Sequence, residues 1–192
     1  MPRADALCGR CQRRPPTFDR IRAPWLYASP LDTCIQELKF HGGLAAGRLL
    51  GQLLARQLQR VDIAVDHIVP MPLHRSRLRG RGFNQSMELA GPVARALDVE
   101  LSPGMLLRHR QTAAQAELPL AARHGNVRDA FRAGEVVGLR IAVVDDVVTS
   151  GGTAEAAART LKDAGASVVE VWAVCRTPAP QQRIKPACGS VS

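Results

Sequence analysis

IAVVDDVVTSGGTAEAA, residues 141–157, holds the pattern on which the rest of the chain is read. Four apolar residues, Ile141 to Val144, suit a strand buried on both faces, and the adjacent carboxylates of Asp145 and Asp146 arrive at its carboxyl end. The loop Thr149-Ser150-Gly151-Gly152-Thr153 then runs straight into a helical pattern that Gly165 stops. Gly151 and Gly152 let backbone amides approach a ligand without a Cβ in the way, and Thr149, Ser150 and Thr153 add hydroxyls. With the partial positive charge of a helix N-terminus, the loop suits a phosphate. Two acids just ahead of it suit the vicinal hydroxyls of a sugar phosphate, or Mg²⁺ held directly or through water. No GxxxxGK[ST] occurs, so this is not a P-loop.

Working outward, SVVEVWAVC (167–175) reads as the next strand. The resulting β-α-β unit implies an α/β fold with a parallel sheet and right-handed crossovers, and ligands at the carboxyl ends of its strands. Upstream, VDHIVPMP reads as a buried strand and NQSMELAGPVARALD as a helix with an irregularity at Pro92. Ser102 to Asn126 shows no period and reads as a loop. LDTCIQELKF and LAAGRLLGQLLARQLQR carry the apolar spacing of two amphipathic helices, and the first 24 residues read as an irregular arm. The expected organisation is an arm at 1–24, a helical hood at 25–60, an α/β core at 61–178 and a tail at 179–192.

The chain of 192 residues carries 26 Lys and Arg against 17 Asp and Glu, a formal charge of +9 that favours anionic partners. Only 4% is aromatic, which argues against a base-stacking surface. Without an apolar run long enough to span a bilayer or an apolar export signal at its start, the chain is expected to be cytoplasmic with no membrane insertion. Cys34 and Cys175 stand in apolar company and are expected to be packing residues. His67, His74, His109 and His124 are general-base candidates without a recognisable partner.

The basic excess concentrates ahead of residue 141, and Arg75, Arg77, Arg79 and Arg81 alternate within one short stretch. Read as an extended loop, this spacing places two or three guanidiniums on one side. Three readings stay open: donors to a diphosphate (Arg77 and Arg81), a nucleic-acid contact, and a solvated charge run.

Residues 141–153 resemble the phosphoribosyl-diphosphate signature of type I phosphoribosyltransferases. With RGFNQS (81–86), CGRCQRRPP (8–16), ELKFHG (37–42), VWAVCRTP (171–178) and the loop bearing Gln115, Arg123, Asn126 and Phe131, the chain resembles the ComF/GntX family. The resemblance implies a type I phosphoribosyltransferase-like sheet flanked by helices, with an N-terminal helical hood and a remnant zinc-ribbon arm. It implies that Asp145 and Asp146 position the ribose, and that Thr149, Ser150, Gly151, Gly152 and Thr153 hold the 5′-phosphate. By the same resemblance Pro70 to Leu73, including Met71, Pro72 and Leu73, form a diphosphate loop, residues near 108–126 form a flap, and Asp145 and Asp146 hold Mg²⁺. Purine-salvage members carry an acid where this chain has Thr149, which disfavours that acceptor class.

Members of the family usually begin with further CxxC pairs. Here Cys8 and Cys11 supply only two of the four ligands of a structural Zn²⁺, so the site is incomplete and the start is expected to be shortened. The resemblance leaves two functions. One is a phosphoribosyltransferase acting on phosphoribosyl diphosphate with an unassigned acceptor, in DNA uptake or nucleotide salvage. The other is a non-catalytic DNA-uptake accessory protein that binds single-stranded DNA or a helicase partner and senses phosphoribosyl compounds. A homodimer is left open.

Overall fold

The computed structural model describes residues 12, 15–40, 42–109 and 130–178. Along the chain run β1 (Arg20–Arg22), β2 (Trp25–Leu26), α1 (Leu31–Phe40), α2 (Leu44–Leu58), β3 (His67–Pro70), α3 (Arg75–Arg81) and α4 (Gln85–Leu97). They are followed by β4 (Glu100–Leu101), β5 (Leu106–Arg108), β6 (Phe131–Ala133), β7 (Arg140–Val148), α5 (Gly152–Asp163) and β8 (Val168–Arg176). The main sheet has the order β1-β8-β7-β3-β4, with β2 also on β8, and every pairing in it is parallel. β5 and β6 form a separate antiparallel pair.

β7 shows why the central strands read as continuous apolar runs. Ile141 and Val143 share a buried cluster with Ala157, Ala158 and Leu161 of α5. Ala142 and Val144 join Leu38 of α1, Leu54 of α2 and Leu89 of α4 on the other face. Both faces are covered, so neither parity of the strand meets water. The same alternation sends successive acids to opposite sides, Asp145 with the α5 parity and Asp146 with the α1 parity.

The expected β-α-β unit is β7–α5–β8, paired from Arg140↔Val168 to Val148↔Arg176. Trp172 of β8 is fully buried, and its indole Nε1 donates to Glu170 Oε2 at 2.8 Å. Arg22 Nε donates to the same oxygen at 2.8 Å, which fastens β1 to the sheet. On the opposite flank α2 meets α4 through small residues. A Cβ on Gly51 would stand 2.7 Å from the Leu89 carbonyl oxygen and 3.1 Å from Pro92 Cγ, so glycine sets how close the helices come.

The structure corrects the sequence expectations at four places. Arg75–Arg81 is helical, because His74 Nδ1 accepts from the Ser76 amide at its start and Gly82, at φ 83°, closes its end. α4 runs through Pro92 without a break, its ring buried against Gly51. Within the stretch read as a loop, Pro103–Met105 forms a 3₁₀ turn and Leu106–Arg108 pairs with Phe131–Ala133, a register set by chain far downstream. In the supposedly irregular arm, Arg20–Arg22 gains strand geometry from the exposed edge of β8.

Candidate functional site

Asp145 and Asp146 lie near the carboxyl end of β7, as the β-α-β pattern requires. Asp145 Oδ1 accepts from the Ser86 hydroxyl at 3.2 Å and from the Asp146 amide at 2.9 Å. Burial, reinforced by the neighbouring Asp146 carboxylate, pushes the Asp145 carboxyl up to about 8. Asp146 is buried, and its Oδ2 forms an ion pair with Lys39 Nζ, delivered by the last turn of α1. Behind the pair, the Cys175 thiol points toward the Asp146 carbonyl oxygen at 4.0 Å. Burial and Asp146 raise that thiol to about 12, so Cys175 is an inert packing residue, as its apolar setting predicts.

Helical geometry sorts the four arginines of α3. Arg77 and Arg81, one turn apart, are half-buried, while Arg75 and Arg79 are exposed. Arg81 Nη1 donates to Gln85 Oε1 at 2.5 Å, and its guanidinium lies 5.9 Å from the centre of the Phe40 ring. Burial lowers the Arg81 value, with Asp146 holding it up and Arg77 pressing it down. Arg108 of β5 feels the same field. Burial and Arg77 lower it, Asp145 opposes them, and its guanidinium stands 5.5 Å from the Phe131 ring centre. Arg77, Arg81 and Arg108 thus share one electrostatic neighbourhood with the acid pair, in which Asp145 and Asp146 offset part of the repulsion among the guanidiniums.

The loop after β7 encloses a cavity of about 30 Å³ lined by Asp145, Val147, Val148, Thr149, Gly151, Thr153 and Ala154. That space is about the size of one water and is open to solvent. Thr149 is exposed, and Gly151 at φ 78° has open space where a Cβ would stand. The helix that follows is held by Glu155, whose carboxylate accepts from the Thr17 amide at 2.9 Å and hydroxyl at 2.6 Å. A larger groove of about 340 Å³, between Arg48 of α2 and Glu88 and Arg95 of α4, contains neither acid.

A family model for the phosphoribosyl transferase domain matches residues 84–190. The chain is 39% identical over 177 residues to DNA utilization protein YhgH of Salmonella typhimurium, covering 88% of this chain and 78% of that one. The chain belongs to the ComF/GntX family of phosphoribosyltransferase-like proteins. Competence protein F of Haemophilus influenzae is 30% identical to it over 179 residues, again 88% of this chain and 78% of the other. Among solved structures, the glutamine phosphoribosylpyrophosphate amidotransferase from B. subtilis complexed with ADP and GMP aligns at 25% identity. That alignment covers 68% of this chain and 26% of the other, with a TM-score of 0.47. The helix-flanked parallel sheet is the type I phosphoribosyltransferase-like architecture expected of a ComF/GntX chain.

Of the residues singled out in this ComF/GntX sequence, Asp145, Thr149, Gly151 and Thr153 line one cavity, while Asp146 and Arg77 act on Arg81 through their charge. The segment Met71-Pro72-Leu73 is narrower than expected as an amide donor. The Met71 amide is already bonded to the Val144 carbonyl at 2.8 Å, its carbonyl accepts from Asn84 Nδ2 at 3.1 Å, and its side chain is buried. Pro72 has no N–H, which leaves Leu73 as the one member able to donate. His74 is engaged as the cap of α3, and His67 Nδ1 lies 3.0 Å from the Ser102 hydroxyl.

Cys8, Cys11, His41, His124 and most of the expected flap lie outside the described residues. Among the described residues no group of three or more His, Cys, Asp or Glu gathers as a metal site, and no helix is long and apolar enough to cross a membrane. Three residues at the acid pair escape sequence reasoning: Lys39, Ser86 and Arg108. Lys39 and Ser86 sit inside the blocks ELKFHG and RGFNQS, whereas nothing distinguishes Arg108 from other arginines.

Proposed function

We propose that this chain binds phosphoribosyl diphosphate at the carboxyl end of β7 and acts as a phosphoribosyltransferase in a process tied to DNA uptake. The observation that carries this reading is the Asp145–Asp146 pair at the end of β7, with Asp145 and the Thr/Gly loop lining one cavity and Arg81 and Arg108 close enough to feel the charge of the acids. The relatives named for DNA utilization and competence support the biological setting.

In this reading the loop from Thr149 to Thr153 takes the 5′-phosphate on its amides and hydroxyls. Asp145 and Asp146 take the ribose hydroxyls. A carboxyl held near neutrality by burial, as Asp145 is, can donate to one hydroxyl while its neighbour accepts from another. Bond breaking at the anomeric carbon leaves an oxocarbenium-like sugar and builds negative charge on the departing diphosphate. Arg77, Arg81 and Arg108 stabilise that charge in this reading, and fixed positioning of the ribose supplies the remainder. The hard oxygens of the pair fit Mg²⁺ in kind. With Asp146 Oδ2 engaged by Lys39, Asp145 is the acid that, on giving up its proton, would hold the ion, which when bound would offset charge on the diphosphate.

Calorimetric titration with phosphoribosyl diphosphate, paired with an assay for released diphosphate over a panel of bases, tests the proposal. Binding that is abolished in Asp145→Asn plus Asp146→Asn, together with diphosphate release, is the expected result. Tight binding without turnover would favour the accessory reading, in which the site senses phosphoribosyl compounds. Binding unchanged in the double variant would overturn the site.

A further inference from the structure

The phosphoribosyl reading assigns no task to Lys39, yet Lys39 makes the closest charged contact at the acid pair. Its position is not an accident of a mobile side chain. Ile35 and Leu38 of the same helix are fully buried in the cluster that also holds Val144 and Trp172, so the backbone that carries Lys39 is locked to the sheet. The next residue, Phe40, lies under the Arg81 guanidinium, 5.9 Å from its ring centre, although the ring itself is exposed. From there the lysine side chain, 25% exposed, reaches an Asp146 side chain that is 6% exposed. Arg81 and Arg108 also bear on the two acids, but among the described residues Lys39 alone forms an ion pair with either of them.

A buried carboxylate beside a second buried carboxyl needs a cation nearby to remain ready as an acceptor for a hydroxyl. A divalent ion is the usual means of supplying one. Here the cation is built into the chain. The ammonium has three donors, so the contact with Asp146 Oδ2 does not exhaust it.

We propose that Lys39 is a positioning residue, a built-in counter-ion of the Asp145–Asp146 pair that lets this site hold ribose hydroxyls without a divalent cation. The inference rests on the phosphoribosyl reading of the site and extends it to a residue of the helical hood. It separates two roles that a divalent ion could play, neutralising the acid pair and neutralising a diphosphate, and assigns the first to Lys39.

Ribose 5-phosphate, which carries the hydroxyls and the 5′-phosphate but no diphosphate, is the probe. Its affinity for the full chain is measured by calorimetry in EDTA and in MgCl₂, for wild type, Lys39→Met and Lys39→Arg. Wild type is expected to bind equally well in both buffers. Lys39→Met should lose about tenfold in EDTA, the effect of uncovering one buried charge, and recover most of it in MgCl₂. Lys39→Arg, which keeps the charge, should resemble wild type. A lysine that merely braced α1 would change the melting temperature without making the affinity depend on magnesium. If wild type binds only in MgCl₂, the inference is overturned while the site reading stands, and this arm requires no variant to fold. Binding by Lys39→Met that matches wild type in EDTA also overturns it. If wild type binds ribose 5-phosphate in neither buffer, the site reading itself fails and takes the inference with it.

Discussion

The Ser86 hydroxyl donates to Asp145 Oδ1 at 3.2 Å across fifty-nine positions of sequence, joining the first turn of α4 to the end of β7. Asn84 caps the same helix through the Ser86 amide at 3.1 Å and also donates to the Met71 carbonyl. The block RGFNQS therefore does its work at a helix start, where a cap residue, a carboxylate partner and the end of α3 meet.

The raised Asp145 carboxyl has a consequence for stability. Its value in the folded chain is about 8, against an ordinary 3.8. Between these values the folded state holds a proton that the unfolded chain has released, so unfolding free energy falls as pH rises from about 4 to about 8. Urea midpoints of ligand-free protein should decline across that window. Asp145→Asn should flatten the decline, and an equal slope in both proteins would contradict the assignment.

The helical face of α3 separates four arginines that look alike in sequence. Arg77→Ala and Arg81→Ala should each weaken diphosphate binding by about tenfold, the scale of one charge-assisted hydrogen bond. Arg75→Ala and Arg79→Ala, both exposed, should stay within about twofold, as exposed charges generally do. If oligonucleotides bind this protein, these outward residues rather than Arg77 and Arg81 should set the salt dependence of that binding. Competition titration and a salt series read both effects.

Glycine substitutions should divide by environment. Gly51→Ala forces a Cβ against the Leu89 carbonyl and should cost about 1–3 kcal/mol in overpacking. Gly80→Ala, within α3 and with nothing near its Cβ position, should stabilise by up to about 1 kcal/mol. Gly151→Ala forces a side chain into φ 78° and should cost about 1–2 kcal/mol as well as weakening phosphate binding. Chemical denaturation measures all three.

Glu170 serves two donors from different strands, the Arg22 guanidinium and the Trp172 indole. Glu170→Ala leaves both without their acceptor in a nearly closed setting and should destabilise by about 2–4 kcal/mol. Loss of near-ultraviolet signal from Trp172 at lower denaturant would report it.

What the sequence by itself determined is whatever a short run of neighbours controls. Ile141 to Thr153 specify a buried strand, an acid pair and a glycine loop opening a helix, because strand period, glycine freedom and helix start are all local. Even the divergence of Asp145 and Asp146 to opposite faces follows from that period. Only the tertiary structure decided what meets the acids. That Arg77 and Arg81 are parted from Arg75 and Arg79 depended on His74 and Gly82 making α3 a helix, since an extended loop would put all four on one side. That Lys39, Ser86 and Arg108 arrive at the same place depended on how α1, α4 and β5 pack, with Gly51 setting one helix spacing and the edge of β8 recruiting a strand from the arm. Contacts across such separations are fixed by burial of whole faces, and no local pattern in the chain encodes them.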